Sequence, residues 1–259
     1  MRVIPSHLFN DISVESVVVA IGSFDGLHLG HQEIIQKTID KAENKGISCG
    51  VYSFIPHPLR VIAPGDAPSF LLSRNQKIKI LNQLGLDYYF EQEFTRDFSC
   101  TSFKEFIYNI LLKKLNVDHI VVGNDFNFGY DGEGDIDSLR ALAKKNDFNV
   151  TGIEPIKKSN NKISSTKIRE MIKRGNIKEI SNYLGRNYRL EGRVVSGAGR
   201  GRKFGVPTAN LDLTTGFVIP PSGVYACYAH FNNRKYKAIV NFGHNPTFAG
   251  ENFSIEVHI

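Results

Sequence analysis

Two histidines three residues apart, His28 and His31, stand in the stretch Gly22-Ser23-Phe24-Asp25-Gly26-Leu27-His28-Leu29-Gly30-His31. Imidazoles placed together can donate hydrogen bonds to phosphate oxygens as negative charge builds on them. Gly26 and Gly30 allow backbone to approach a ligand closely. The stretch follows Val17–Ile21, a β-branched apolar run that reads as a buried parallel strand. It precedes Ile34, Ile35, Thr38, Ile39 and Ala42, which recur at helical spacing until Gly46 closes the helix. In an open α/β sheet, that strand-to-helix turn is the crevice where ligands bind. The helix start, with unpaired N–H groups and partial positive charge, suits phosphate. The spacing is neither the GxGxxG dinucleotide fingerprint nor a Walker A loop. No third ligand accompanies the two histidines in an HExxH pattern, so metal binding there is disfavoured.

A second candidate lies at Gly197-Ala198-Gly199-Arg200-Gly201-Arg202-Lys203-Phe204-Gly205-Val206-Pro207-Thr208-Ala209-Asn210. Its glycines free the backbone to wrap phosphates, and its basic residues oppose their charge. Thr208 and Asn210 offer the hard oxygens that Mg²⁺ prefers. Read alone, the same stretch also suits a flexible RNA-contacting loop. Three smaller features add to the first candidate. Ser165 and Thr166 precede a short helical stretch, 167–174, as N-caps do, and Arg169 on its first turn can fork onto phosphate oxygens. Asp125 follows the strand-like run 119–123, at another carboxyl-terminal strand edge. His57, between Pro56 and Pro58, is open to either a structural or a functional role.

These residues need elements to hold them. Through the first 184 residues, strand-like runs (17–21, 47–54, 87–90, 119–123, 150–153) alternate with helical ones (30–45, 74–84, 103–115, 136–145, 176–184). That alternation implies a parallel α/β sheet. After Gly185 the candidates 188–195, 223–231, 235–241 and 253–259 are strands with no helical period between them. An antiparallel β-barrel or sandwich is expected there. The expected domains are therefore 1–184 and 185–259.

Composition narrows the class. The chain has 259 residues, 41% hydrophobic and 22% charged, which excludes a disordered chain, a collagen and a coiled coil. No apolar run reaches the roughly 18 residues of a membrane span, and the N-terminus lacks a signal-peptide pattern. Three dispersed cysteines without a CxxC argue for a reducing, cytoplasmic setting. The net charge is +6, and residues 186–259 carry nine Lys/Arg against four acids. That concentration points to an anionic partner: nucleic acid, a membrane surface or a phosphorylated small molecule.

The HxGH stretch resembles the nucleotidylyltransferase superfamily. Within it the chain is similar to the bifunctional bacterial riboflavin kinase/FAD synthetase family over nearly its whole length. The resemblance rests also on Pro56-His57-Pro58, Val122-Gly123-Asn124-Asp125-Phe126-Asn127-Phe128-Gly129 and Ile163-Ser164-Ser165-Thr166-Lys167-Ile168-Arg169. Pro207-Thr208-Ala209-Asn210, Asn245-Pro246-Thr247-Phe248 and Glu256-Val257-His258-Ile259 carry it into the second half. It implies a Rossmann-like domain followed by a β-barrel kinase domain, with ATP, FMN and riboflavin as substrates and Mg²⁺ as cofactor. It implies phosphate-gripping roles for His28 and His31, and nucleotide or flavin contacts from Gly22, Phe24, Asp25, Gly30, Asp125, Ser165, Thr166, Arg169, Gly199, Gly201 and Arg202. Thr208 and Asn210 would hold Mg²⁺, and Glu256 would be the base that activates the ribityl hydroxyl.

The stretch Tyr130-Asp131-Gly132-Glu133-Gly134-Asp135 departs from the family's usual basic residues. The chain stops three residues after Glu256, where the family continues with further strand and a closing helix. The expectation is an incomplete kinase half with an open strand edge at 253–259. The rivals are a nucleotidylyltransferase with an inactive barrel, an adenylyltransferase acting on a pantetheine phosphate, and a basic-barrel RNA-binding protein. No nucleic acid or membrane partner is expected, and self-association is not readable.

Overall fold

A computed structural model describes residues 1–158, 161–196, 207–213, 216–247 and 250–259. The alternating elements of the first half are β1 (Arg2–Pro5), β2 (Val17–Ile21), α1 (Leu29–Lys45), β3 (Ser48–Ile55), α2 (Leu59–Ile62) and α3 (Arg74–Gln83). They continue with β4 (Tyr88–Glu93), α4 (Arg96–Ser99), α5 (Phe103–Glu105), β5 (Val117–Gly123), α6 (Ile136–Ala143) and β6 (Asn149–Ile153). A hairpin of β7 (Lys157–Lys158) and β8 (Asn161–Lys162) leads to α7 (Ser165–Lys173) and α8 (Ile177–Leu184).

Six strands form one parallel sheet in the order β1-β4-β3-β2-β5-β6. Every residue of β2 is buried, as its unbroken apolar run requires of a central strand. From β2 the chain steps outward through β3 to β4, then returns to lay β5 on the other side of β2. The order reverses there, so the carboxyl ends of β2 and β5 flank the crevice that such sheets offer to ligands. Helix α1 packs against β2, β3 and β5. It buries Ile35, Thr38, Ile39 and Ala42 and ends on Gly46 at φ 66°. The expected helix 103–115 is interrupted: α5 carries a Ser102–Glu105 capping box, and Phe106–Leu112 winds as π-helix. Phe106, Ile107 and Leu111 all reach the core from that stretch. The i→i+5 winding brings Leu111 into line with Phe106, so the three share one inward face.

The second half forms a five-stranded antiparallel sheet, with β9 (Arg193–Val195), β10 (Ala209–Asp212), β11 (Gly223–Phe231), β12 (Arg234–Thr247) and β13 (Gly250–His258). Its order is β11-β12-β13-β10-β9. Two strand expectations need correction. Of 188–195 only the last three residues pair; before them Leu190 packs onto the sheet's core and the Ser73 hydroxyl donates to Glu191. β10 was not foreseen, since Asn210 and Asp212 are poor strand formers, yet Leu211 between them packs into that core. The open edge expected at 253–259 is also corrected. β13 is interior, paired with β12 on one side and β10 on the other. Among the described residues the outer strands are β11 and β9.

The chain separates into two compact units that do not follow a single cut. The first comprises Met1–Pro68, Arg74–Ser165 and Tyr183–Gly185, and the second comprises Ser69–Ser73, Thr166–Asn182 and Arg186–Ile259. In the second unit Phe70 joins Phe217 in a β-bridge, its N–H donating to Gly216 O at 2.8 Å and its carbonyl accepting from Val218 at 3.0 Å.

Candidate active sites

The first site grows from the end of β2. Gly22 continues the sheet, its N–H donating to the Tyr52 carbonyl at 3.1 Å. The chain then turns sharply, with Phe24 at φ 46°, Gly26 at 84° and Leu27 at 40°. Two of these are side-chain-bearing residues in the left-handed region, a conformation that persists only where surroundings enforce it. The surroundings here are burial and donors. Phe24 and Leu27 are fully buried. Ser53 Oγ donates to the Ser23 carbonyl at 3.1 Å, Lys77 Nζ to the same carbonyl at 2.8 Å, Ser165 Oγ to the Asp25 carbonyl at 2.7 Å and Gln32 Nε2 to the Leu27 carbonyl at 2.8 Å.

The turn delivers His28 to the N-cap of α1. Its Nδ1 accepts the His31 backbone N–H at 3.2 Å, and Gln32 N–H closes the first helical turn on the His28 carbonyl at 3.0 Å. With Nδ1 accepting, the neutral ring carries its proton on Nε2, which is then the donor. The two imidazoles stack at 3.6 Å with an 18° interplanar angle, and Phe24 meets the His31 ring edge-on at 5.3 Å. Gly30 permits this stack. A Cβ there would lie 3.2 Å from His28 Cε1 and Nδ1. Asp25 and His28 are buried, at 7% and 5% exposure. Gly22, Phe24, Asp25, His28, Gly30, His31 and Ser165 therefore converge on one place.

Ser165 and Thr166 do not cap a following helix, as expected from the sequence. They are the first residues of α7 itself, and Ser165 Oγ is occupied as a donor to Asp25. Thr166 and Arg169 belong to the second unit, where Arg169 Nε donates to Ser69 O at 2.8 Å. Asp125 lies in the first unit beyond β5, exposed and ion-paired with Lys162, a partner that sequence reasoning missed. Behind it Phe126 stacks on Phe128 at 5.5 Å. His57 follows a cis Ile55–Pro56 bond, and its Nδ1 accepts the Leu59 N–H at 3.3 Å.

The second site is a row across the antiparallel sheet. Asn210 on β10 pairs with Glu256 on β13, which pairs with Asn241 on β12. Val195 and Val224 extend the row to β9 and β11. Residues directly opposite in a sheet share one face, so this row stands on the same side. Val240, Phe242 and Ile255, one step along their strands, form the core of the other side. Val195 and Val224 are exposed. Glu256 thus stands on the accessible face, with Ser254 Oγ 3.5 Å from its Oε1. Asn241 is a neighbour the sequence did not single out; only its place opposite Glu256 could have found it. Thr208 lies just before β10. Gly199, Gly201 and Arg202, with the rest of 197–206 and Phe248, lie outside the described residues. Among the described residues no group of three His, Cys, Asp or Glu could hold a metal ion. No described helix is long and apolar enough to cross a membrane.

A doubly wound parallel sheet whose central strand β2 opens into HxGH at the switch point defines a nucleotidyltransferase. The family model for FAD synthetase matches residues 11–167, and that for riboflavin kinase matches residues 184–259. A curated bifunctional riboflavin kinase/FMN adenylyltransferase from Buchnera aphidicola is 38% identical over 256 residues, covering 98% of this chain and 81% of that protein. The protein of that name from Bacillus subtilis is 36% identical over 263 residues, with the same coverages. A crystal structure from Streptococcus pneumoniae, described as a macrolide-efflux protein, superposes with a TM-score of 0.88 at 33% identity, covering 99% of this chain and 84% of that one. The chain belongs to the bifunctional riboflavin kinase/FMN adenylyltransferase family and is a transferase.

Proposed function

We propose that the first unit transfers the adenylyl group of ATP to the phosphate of FMN, giving FAD and pyrophosphate. We propose likewise that the second phosphorylates riboflavin to FMN. The observation that carries the first reading is the stacked His28–His31 pair at the N-terminus of α1, at the switch point of the sheet. An FMN phosphate oxygen attacks the α-phosphorus of ATP in line, and the bond to pyrophosphate breaks. Such a reaction asks the protein for positioning and charge stabilisation more than for covalent work. His28 Nε2–H and His31 donate to the α-phosphate as its charge grows. Gly22, Phe24, Asp25 and Gly30 shape the cradle. The family resemblance assigns the leaving pyrophosphate to Ser165, Thr166 and Arg169 and the flavin nucleotide to Asp125.

In the second unit Glu256 accepts the proton of the ribityl hydroxyl as that oxygen attacks the γ-phosphorus of ATP, the bond to the β–γ bridging oxygen breaks and ADP leaves. A base for this step must stand on a face that substrate can reach, and the Asn210–Glu256–Asn241 row does so. Gly199, Gly201 and Arg202 wrap the nucleotide phosphates. Thr208 and Asn210, whose neutral oxygens suit a hard cation, would hold Mg²⁺. When bound, Mg²⁺ neutralises charge on the phosphates. The reading extends to a cytoplasmic enzyme of small-molecule substrates, without a nucleic-acid partner; the free thiols of Cys49, Cys100 and Cys227 support a reducing setting.

The test is two product assays on this chain. ATP with FMN is expected to give FAD and pyrophosphate, and ATP with riboflavin to give FMN and ADP. Steeply salt-dependent RNA binding without turnover of ATP would overturn the reading.

A further inference from the structure

We propose that Lys77 is a positioning residue for adenylyl transfer, holding the Ser23–Leu27 turn that presents His28 and His31. The inference rests on the adenylyl-transfer reading of that site. Lys77 stands on α3, outside the HxGH stretch, and is not among the residues read as touching substrate. Its ammonium reaches the Ser23 carbonyl at 2.8 Å and Ser53 Oγ at 3.5 Å, while Ser53 Oγ itself donates to that carbonyl at 3.1 Å. Two side-chain donors therefore meet on the last carbonyl before the chain enters its left-handed turn. Further along the turn, Ser165 Oγ donates to the Asp25 carbonyl and Gln32 Nε2 to the Leu27 carbonyl. The charge sits one residue before Phe24, the first of the left-handed positions.

The ammonium is kept there at a cost. Burial pushes its pKa down from the ordinary 10.5, against the pull of Asp25 on the turn and Glu91 on β4. Glu91 is already taken by the Arg74 guanidinium, whose Nε donates to its two oxygens at 2.8 and 3.1 Å. Tyr89, beside Glu91 on β4, is a buried phenol whose pKa is raised by burial, so it supplies no opposing charge. An apolar side chain of similar length would avoid the desolvation of an ammonium. An ammonium whose charged form burial disfavours, yet which reaches the Ser23 carbonyl of a strained turn beside two candidate catalytic histidines, is explained by the turn's geometry.

The linkage gives the inference a signature. Because folding depresses the pKa, the unfolded chain binds more protons between the folded value and 10.5, and Lys77's contribution to stability rises with pH through that window. Adenylyl transfer should move the other way, since the neutral amine grips the Ser23 carbonyl less firmly.

The experiment compares wild-type chain with Lys77→Met, measuring kcat for FAD formation, KM for ATP and the melting temperature between pH 7 and pH 10. Expected is a fall in kcat on the order of 10²-fold, the scale of an ångström's misplacement of catalytic groups. KM for ATP should stay within about threefold and Tm at pH 7 should be unchanged or higher. The wild-type advantage in kcat should shrink as pH rises, while wild-type Tm gains on the variant. A folded variant with kcat within twofold of wild type, or with a change confined to KM or Tm, overturns the inference. If Lys77→Met does not fold, Lys77→Gln is measured against the same criteria. A wild-type chain that forms no FAD overturns the reading of the site as well. Wild-type turnover beside an unimpaired variant overturns this inference alone.

Discussion

The two candidate sites are built in opposite ways. His28 and His31 are aimed by a turn whose backbone sits where side-chain-bearing residues rarely go, secured by donors from β3, α3, α1 and the start of α7. Glu256 is aimed by strand register alone: its face follows from pairing with Asn210 and Asn241. A site held by a strained loop is vulnerable to small changes in packing around it. A site held by register tolerates neighbouring substitutions but fails if a strand slips by one residue, which sends its side chains to the other face.

The largest expected effect falls on the register-held site. Glu256→Gln should lower riboflavin phosphorylation by about 10²–10⁴-fold, the usual contribution of a general base, while FAD formation from supplied FMN stays near wild type. Parallel loss of both activities would show that the sites are not separate. His28→Ala and His31→Ala should each reduce FAD formation by about 10²–10³-fold, as loss of one donor to a developing oxyanion does. His28→Ala should cost additional stability through its lost helix cap, about 1 kcal/mol. Unchanged adenylylation in the folded double variant would end the assignment.

Gly30→Ala sharpens the comparison with a smaller change. Its Cβ would press the His28 ring from 3.2 Å, so FAD formation should drop several-fold with riboflavin phosphorylation untouched. Acid stability gives a fourth check. His119, buried beside Thr151 at 2.8 Å, has its pKa pushed down to about 4, first by burial and then by the charges of Lys41 and Lys45. The unfolded chain binds that proton at higher pH, so the associated stability is present above about pH 6.5 and is lost as pH falls toward 4. His119→Gln should flatten the fall in Tm across that window. The smallest effect belongs to the hairpin between β11 and β12, where Asn232 and Asn233 sit at φ 48° and 59°. Asn233→Gly should protect the amides of β11 and β12 slightly better in hydrogen exchange, since glycine adopts that conformation without steric cost.

What the sequence made legible follows the same division. The buried β2, the start of α1 and the HxGH pair could be read directly, because an apolar run, glycines and two histidines of fixed spacing leave few alternatives. The pairing of Asn210 with Glu256 could not be read, because nothing in the spacing of two distant strands sets their register. Lys77 was hidden for another reason. On an amphipathic helix a lysine among apolar neighbours reads as a solvated charge, and only the Ser23 carbonyl within its reach shows what it holds. Phe24 and Leu27 gave no sign of left-handed backbone, since their residue types argue against it.

The five residues Ser69–Ser73 bear on how such a protein could arise. They lie in the midst of the first unit's sequence yet supply the second unit with the Phe70 bridge to Phe217 and the Ser73 contact to Glu191. Thr166–Asn182 are lent in the same way. The two compact units therefore do not coincide with the two family matches along the sequence. A gene fragment beginning at residue 184, where the riboflavin kinase match begins, would leave both borrowed segments behind. Recombination that exchanged one half alone would have to carry these small inserts with it. Such an arrangement favours inheritance of the two catalytic halves as a single heritable block.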